Sequence, residues 1–115
     1  VLRAIFDDHL DFVRAHPGVP RLIFSELQRP DDTAAKQVVR EFLKTHAKRL
    51  AGWIHRGQEA GEIGGKVDRS AAAALFIGSI QGLVMQSMLA ADPSAIRKAA
   101  PGVRKLLFDH LLAKS

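Results

Sequence analysis

The side chains that could do chemistry in this sequence are mainly its five histidines, because the chain contains no cysteine. They are His9, His16, His46, His55 and His110. No two of them stand four residues apart, the spacing at which one helix face can hold a metal ion, and no glutamate has a histidine three residues later. We therefore expect no metal site and no cofactor.

Other catalytic patterns are incomplete. Gly61 to Val67 resembles a phosphate-binding loop, but Ala60 and Val67 stand where a Walker A motif needs Gly and Ser or Thr. No G-x-S-x-G motif is present, and no serine has a context that indicates activation. The sequence therefore predicts that the chain is not an enzyme. An enzyme would need titratable groups that converge in a cleft, and only His46 is a candidate for one.

His46 belongs to the apolar seam of a long helix predicted to follow Asp31-Asp32-Thr33 and to reach about Gln58. The seam steps by four and three residues, and Phe42, Ala47 and Ile54 widen it; its members are Val39, Leu43, His46, Leu50, Trp53 and Gly57. A histidine in such a place more often donates to a carbonyl or hydroxyl in the core. The alternative is contact with a ligand or a response to pH.

A second predicted helix, from Ser70 to Ala91, contains no charged residue and no histidine. One side carries the bulky residues, which are Ala73, Phe76, Ile77, Ile80, Val84 and Met88. The other side carries Gly78 and Gly82, which would let another helix approach closely. Because a helix without charge must be covered on nearly all sides, we expect a second subunit to cover this face; an ordinary core helix is the alternative. Polar Gln81, Gln86 and three serines argue against a membrane span.

The remaining pattern predicts an all-α fold of five to six helices in one domain, residues 1–115, with no strands. Helices are expected at 1–15 and at about 18–28, where Leu22, Ile23, Phe24 and Leu27 would form the buried side. Gly61 and Gly64-Gly65 should end the long helix, with Ile63 folding back on it. Asp68 should cap the central helix, and Asp92-Pro93 should start the next one.

Pro101-Gly102 predicts either a kink or a division into helices 93–99 and 101–113. The apolar face of the last piece would consist of Val103, Leu106, Leu107, His110 and Leu111.

The 115-residue chain has a net charge of +5, which raises the question of nucleic-acid binding. Lys36, Arg40, Lys44 and Lys48 form a basic line along one helix. Such a line is usually a solvated face rather than a phosphate-binding strip, and no aromatic residues interleave with it. Aspartates interrupt the first residues, so no export signal is visible and we expect a cytoplasmic protein. The start at Val1 leads us to expect that a preceding segment is missing.

Several stretches, taken in order, resemble the C-terminal regulatory domain of TetR/AcrR family transcriptional regulators. They are HPGVPRLIFSE (His16–Glu26), Trp53-Ile54 with Gly57-Gln58, Gly61-Glu62-Ile63, Asp68, and FIGSIQGLVMQ (Phe76–Gln86). The resemblance extends over residues 1 to 113. It implies an all-helical domain that binds a small molecule between its helices and dimerises through its last two long helices as a four-helix bundle. It also implies an N-terminal helix-turn-helix domain, absent from this chain, through which alone DNA would be bound.

Residue patterns and resemblance together give two sets of candidate positions. The expected homodimer interface comprises Leu75, Gly78, Gly82, Met85, Leu89, Val103, Leu107 and His110. The expected pocket for a small, largely apolar effector comprises Phe24, His46, Leu50, Trp53, Phe76 and Ile80, with His46 as the orienting polar group. These large side chains would alternatively fill the core.

The sequence thus predicts an effector-sensing, dimerising domain of a transcriptional regulator, in which ligand binding changes the arrangement of the subunits. The alternative is a helical protein-interaction module that recruits a protein partner through its basic face and senses nothing. A closed core without a cavity beside Trp53 would favour that alternative.

Overall fold

The computed structural model describes residues 1–92 and 94–114, and in that part of the chain every regular element is helical. The elements are α1 (Leu2–Ala15), α2 (Gly18–Leu27), α3 (Ala34–Glu59), α4 (Arg69–Ala90), α5 (Ala95–Lys105) and a π-helical segment (Leu106–Leu111). The predicted all-α class is confirmed, and the bounds of α1 to α4 lie close to the expected ones.

Helix α4, which carries no charge after Arg69, lies at the centre and packs against α1, α3 and α5. Its buried residues are Ala72, Ala73, Phe76, Ile80, Leu83 and Val84, and Ile77 and Met88 are partly buried beside them. The predicted bulky side is therefore the core side. Burial of each large apolar side chain stabilises the fold by about 1.5–3 kcal/mol.

Helix α1 covers this core with residues spaced by about one turn, namely Leu2, Phe6, Leu10 and Val13. Phe6, Phe76 and Phe108 meet edge to face, with ring centroids 5.8 to 6.2 Å apart. This aromatic cluster joins α1, α4 and the π-helical segment, and edge-to-face contact adds to what burial alone contributes.

Two predicted N-caps are confirmed. The Oγ1 atom of Thr33 accepts a hydrogen bond from the backbone N–H of Lys36 at 3.2 Å. Asp68 Oδ1 accepts one from the N–H of Ala71 at 2.9 Å. Each bond satisfies a donor that the first turn of the helix leaves free.

The start of α5 differs from the prediction. Its N-cap residue is Ser94 rather than Asp92, and Pro93 lies outside the described residues. Asp92 Oδ1 instead accepts hydrogen bonds from the backbone N–H and hydroxyl of Ser94, which lowers the pKa of the Asp92 carboxyl. Helix α5 also runs through Pro101 without dividing there.

The real change of geometry comes after Lys105, where the helix widens into the π-helical segment. The N–H of Leu112 donates to the carbonyl of Leu107 at 2.9 Å, five residues back. Extra residues in a turn rotate the following side chains, so the predicted apolar face is only partly right. Leu107 is buried, whereas Leu106, His110 and Leu111 are exposed, and Phe108 and Leu112 take their place in the core.

Helix α2 is a second correction, because none of its residues is buried. Phe24 packs partly against the core, but Leu22 is 73% exposed, and Ile23 and Leu27 also face outward. An apolar stripe on a short helix predicts that this face is more stable when it is buried. The pattern is the same whether the face is buried by the same chain or by another molecule.

The first half of α3 is similar. Leu50 and Ile54 are the buried residues of the long apolar seam, while Phe42 is 63% exposed. The apolar surface of α3 therefore enters the core only in its second half.

Two of the four residues in the basic line on α3, Lys36 and Arg40, bind the loop that precedes the helix. Lys36 Nζ donates to the carbonyls of Arg29 and Asp31, and Arg40 Nη2 donates to Asp32 Oδ1 at 3.0 Å. Arg40 also lowers the pKa of the Asp32 carboxyl, by hydrogen bonding and by its charge. These contacts hold the α2–α3 connection in place.

Within the described residues, α4 alone is long and apolar enough to cross a membrane, with a mean hydropathy of 1.5. The core helix of a soluble protein passes the same test, so this is weak evidence for a membrane span.

Candidate functional site

The larger of two clefts has a volume of about 460 Å³ and lies between the start of α1, the last turns of α3 and the π-helical segment. This volume is within the range of about 300–1,000 Å³ that is usual for small-molecule sites. Its walls include Trp53 and Arg56 from α3, Arg3 from α1, and Phe108.

The wall beneath Trp53 depends on the reversal of the chain after α3. Gly61 has φ +77°, and the N–H of Glu62 donates to the carbonyl of Gly57 at 2.8 Å. Ile63 then folds back onto Gly57, as the sequence predicted, and lines the cleft. The absence of a side chain on Gly57 is what makes room for Ile63.

Gln58 fixes the loop that carries this wall. Its Nε2 donates to the carbonyls of Gly64 and Val67, at 3.0 and 2.9 Å, and its Oε1 accepts from Arg69 Nε at 2.8 Å. The N–H of Gly64 donates in turn to the carbonyl of Leu112 at 3.1 Å. The end of α3, the start of α4 and the end of the chain are thereby held as one unit beside the cleft.

Two guanidinium groups lie against aromatic rings in the cleft. Arg56 Cζ is 4.6 Å from the centroid of Trp53, and Arg3 Cζ is 5.0 Å from the centroid of Phe108. Arg3 is also ion-paired with Asp109, with Nη2 and Oδ1 3.2 Å apart. Each cation over a ring is stabilising by about 0.5–1 kcal/mol at an exposed site, and it stiffens both side chains.

The smaller cleft, of about 370 Å³, lies between the end of α1, the start of α2 and the end of α4. Its lining includes Arg14 and Arg21 and the apolar side chains of Val84, Met88 and Ile96. It borders Asp92, whose carboxylate is already held by Ser94.

His46 lies outside both clefts, in a cluster between α1 and α3. Its ring stacks on Phe42, with centroids 5.9 Å apart, and lies 6.3 Å from the ring of His9. Its Nε2 atom is buried without a hydrogen-bond partner among the described residues, so the expected bond from a core histidine is not found at that atom. Burial lowers the pKa of both histidines, and the second cause is the charge of His46 for His9 and of Arg49 for His46.

The six residues predicted to form an effector pocket do not converge on one cleft. Trp53 lines the larger cleft, Phe24 and His46 line neither, and the three others fill the core. These three are Leu50, Phe76 and Ile80. A small domain needs its largest apolar side chains for its core, so their place in a ligand site stays a prediction that requires the core to open.

The eight residues predicted for the dimer interface fall mostly on the surface. Leu75, Met85 and Leu89 are 44%, 48% and 81% exposed, and a Cβ built on Gly78 would meet nothing within 4 Å. Gly82 and Val103 are half-buried and His110 is exposed. Leu107 is 2% exposed and packs in the core of its own subunit.

Sequence reasoning missed Arg3, Arg56 and Phe108. Arg56 stands three residues after Trp53, a spacing at which helix side chains meet, so that pair had a local signal. The contact of Arg3 with Phe108 joins the two ends of the chain, and no local pattern in the sequence predicts it. Among the described residues, no three His, Asp or Glu side chains form a group that could hold a metal ion.

Comparison with known families agrees with this architecture. The family model described as "Tetracyclin repressor-like, C-terminal domain" matches residues 2–103, which is most of the chain. No curated protein and no solved structure gave a match. The chain therefore belongs to the tetracyclin repressor-like C-terminal domain family. Domains of this family are parts of transcription regulators, which are generally not enzymes and which generally dimerise and bind small-molecule effectors.

Proposed function

We propose that this chain is the effector-sensing and dimerisation domain of a transcriptional regulator. The observation that carries the proposal is the outer face of α4, which has no charge and bears the exposed side chains of Leu75, Met85 and Leu89. A row of exposed apolar side chains of this kind is typical of an interface between subunits. Family membership supports the same interpretation.

The proposed interface is close to the predicted one. It uses Leu75, Gly78, Gly82, Met85 and Leu89 from α4, with Val103 and His110 from the last helical region. Leu107 is left out because it is buried in its own subunit. Leu106 and Leu111 take its place, since they share the exposed side of the π-helical segment with His110.

We propose the larger cleft as the site of a small effector, with Trp53 as the residue retained from the sequence prediction. The cleft is bounded by Phe108, whose segment also carries His110 and Leu111 of the proposed interface. A ligand that packs against Phe108 in one arrangement of the segment better than in another would shift the population of subunit arrangements. DNA binding would then change through a domain outside this chain, in the cytoplasm.

Two measurements test the two halves of this proposal. Sedimentation velocity at micromolar concentration should show a dimer, and a monomer would remove the dimerisation half. A thermal-shift screen of small molecules, with Trp53 fluorescence as the second signal, should find compounds that raise the melting temperature and alter the fluorescence. A ligand at a hundred times its Kd adds about 2.7 kcal/mol to stability, which such a screen detects.

The alternative of a non-sensing interaction module has one observation in its favour. Leu22 on α2 and Val38 and Phe42 on α3 are 73%, 69% and 63% exposed, so α2 and the first half of α3 expose apolar surface as well. A protein partner on that surface would be lost on replacement of Phe42 by Glu, with the oligomeric state unchanged. Thermal stabilisation by small molecules at Trp53 would argue against this alternative.

A further inference from the structure

The charges in the larger cleft indicate what kind of molecule it accepts. Arg3, Arg56 and Glu62 are the charged side chains in its lining, and Asp109, outside the lining, pairs with Arg3. The guanidinium of Arg56 is therefore the cation of the lining that is open to a ligand. The remaining surface includes the apolar side chains of Leu2 and Ile63. A site of this composition suits a molecule with one negative charge and an apolar body.

The two arginines are not equivalent. Arg3 already has a carboxylate partner in Asp109. Arg56 has no ion pair among the described residues, and its guanidinium lies against the face of Trp53. Stacking on a ring uses the flat face of a guanidinium and leaves its N–H groups free to bind a carboxylate with two parallel hydrogen bonds.

We propose that the effector of this domain is a small organic monoanion, a carboxylate on an apolar body, whose carboxylate pairs with Arg56. The body packs on Ile63 and Phe108, and Glu62 disfavours ligands with a second negative charge. This inference rests on the proposed function, because it names the chemical class of effector for the same cleft.

The test compares octanoate with octanamide, which have the same apolar chain and differ in charge. Neither absorbs where tryptophan is excited, so Trp53 fluorescence reports binding directly, and the melting temperature gives an independent signal. Octanoate should bind at least about tenfold more tightly than octanamide, since a hydrogen bond to a charged group is stronger than one between neutral groups. Arg56→Gln should abolish this preference, and Arg56→Lys should keep part of it.

Arg97→Gln is the matched control, because Arg97 is an exposed arginine on α5 that lines neither cleft. It should leave the preference for octanoate unchanged. Arg3→Gln should weaken octanoate binding less than Arg56→Gln, since Arg3 is already ion-paired with Asp109.

Equal binding of octanoate and octanamide would overturn the inference about charge and leave the proposed effector site standing. A preference that survives in Arg56→Gln, or one that Arg97→Gln removes equally, would overturn the role of Arg56. Binding of neither compound at millimolar concentration would also overturn the inference. Sedimentation still tests dimerisation separately in each case.

Discussion

Ile63 packs onto Gly57 so closely that a Cβ atom built on the glycine would lie 2.6 Å from Ile63 Cδ1 and 2.9 Å from Cγ1. Real Cβ atoms do not approach other atoms at such distances. The contact closes the turn after α3 and forms one wall of the larger cleft. The glycine therefore makes room for Ile63, although it lies inside a helix where alanine is intrinsically better.

Replacing Gly57 by alanine should destabilise the domain by about 1–3 kcal/mol, because Ile63 must move out of its place. Urea unfolding measures this change, and Trp53 fluorescence should report the altered cleft wall. The matched control is Gly52→Ala in the same helix, where an added Cβ would meet nothing within 4 Å. That variant should gain about 0.5–1 kcal/mol from helix propensity. Equal effects of the two substitutions would contradict the packing argument.

Asp68 offers a test of what holds the start of α4. Asp68→Ala removes the bond that the Ala71 N–H makes to the carboxylate and should cost about 0.5–2 kcal/mol of unfolding free energy. Asp68→Asn keeps an acceptor oxygen at the same place and should cost much less. If alanine and asparagine are equally tolerated in thermal unfolding, the cap does not stabilise α4.

Much of this fold follows from local pattern, and the exceptions have identifiable causes. The bounds of α3 and α4 and the core side of α4 were predictable because caps and the helical repeat act within a few residues. The exposure of α2 was not, since the same apolar stripe arises whether or not another helix covers it. The rotation after Lys105 was missed because the apolar pattern does not mark the change from an α-helical to a π-helical turn.

Of the residues predicted for the effector pocket, only Trp53 lines the candidate site. Its other determinants, Arg3 over Phe108 and Ile63 on Gly57, depend on how the two ends of the chain meet or on a loop that folds back. Only the second of these had a signal in sequence, the glycines that follow α3.

The lowered pKa values of His9 and His46 lead us to expect that the domain becomes less stable as the pH falls. Burial lowers the pKa of both below the value of 6.5 for a free histidine, so the unfolded chain takes up protons first as the pH falls. The stabilising contribution of the neutral rings is complete above 6.5 and is lost as the pH falls from there through the folded-state values. Unfolding free energy should therefore decrease between about pH 7 and pH 5.5, the range of histidine titration.

His46→Gln should make that decrease shallower, because the replacement does not titrate. His9→Gln should also make it shallower, because it removes the other histidine whose pKa burial lowers. The same slope in all three proteins would show that this pair does not govern the response.

The most direct measurement of the central claim is sedimentation velocity of two charge substitutions on exposed leucines. Leu89 on α4 and Leu22 on α2 are 81% and 73% exposed, so neither Leu89→Glu nor Leu22→Glu should disturb the core. The unmodified chain and Leu22→Glu should sediment as dimers at micromolar concentration, and Leu89→Glu as a monomer, because a carboxylate would be buried between subunits. A monomeric unmodified chain, or a dimer that Leu22→Glu breaks and Leu89→Glu leaves intact, would contradict assembly through α4.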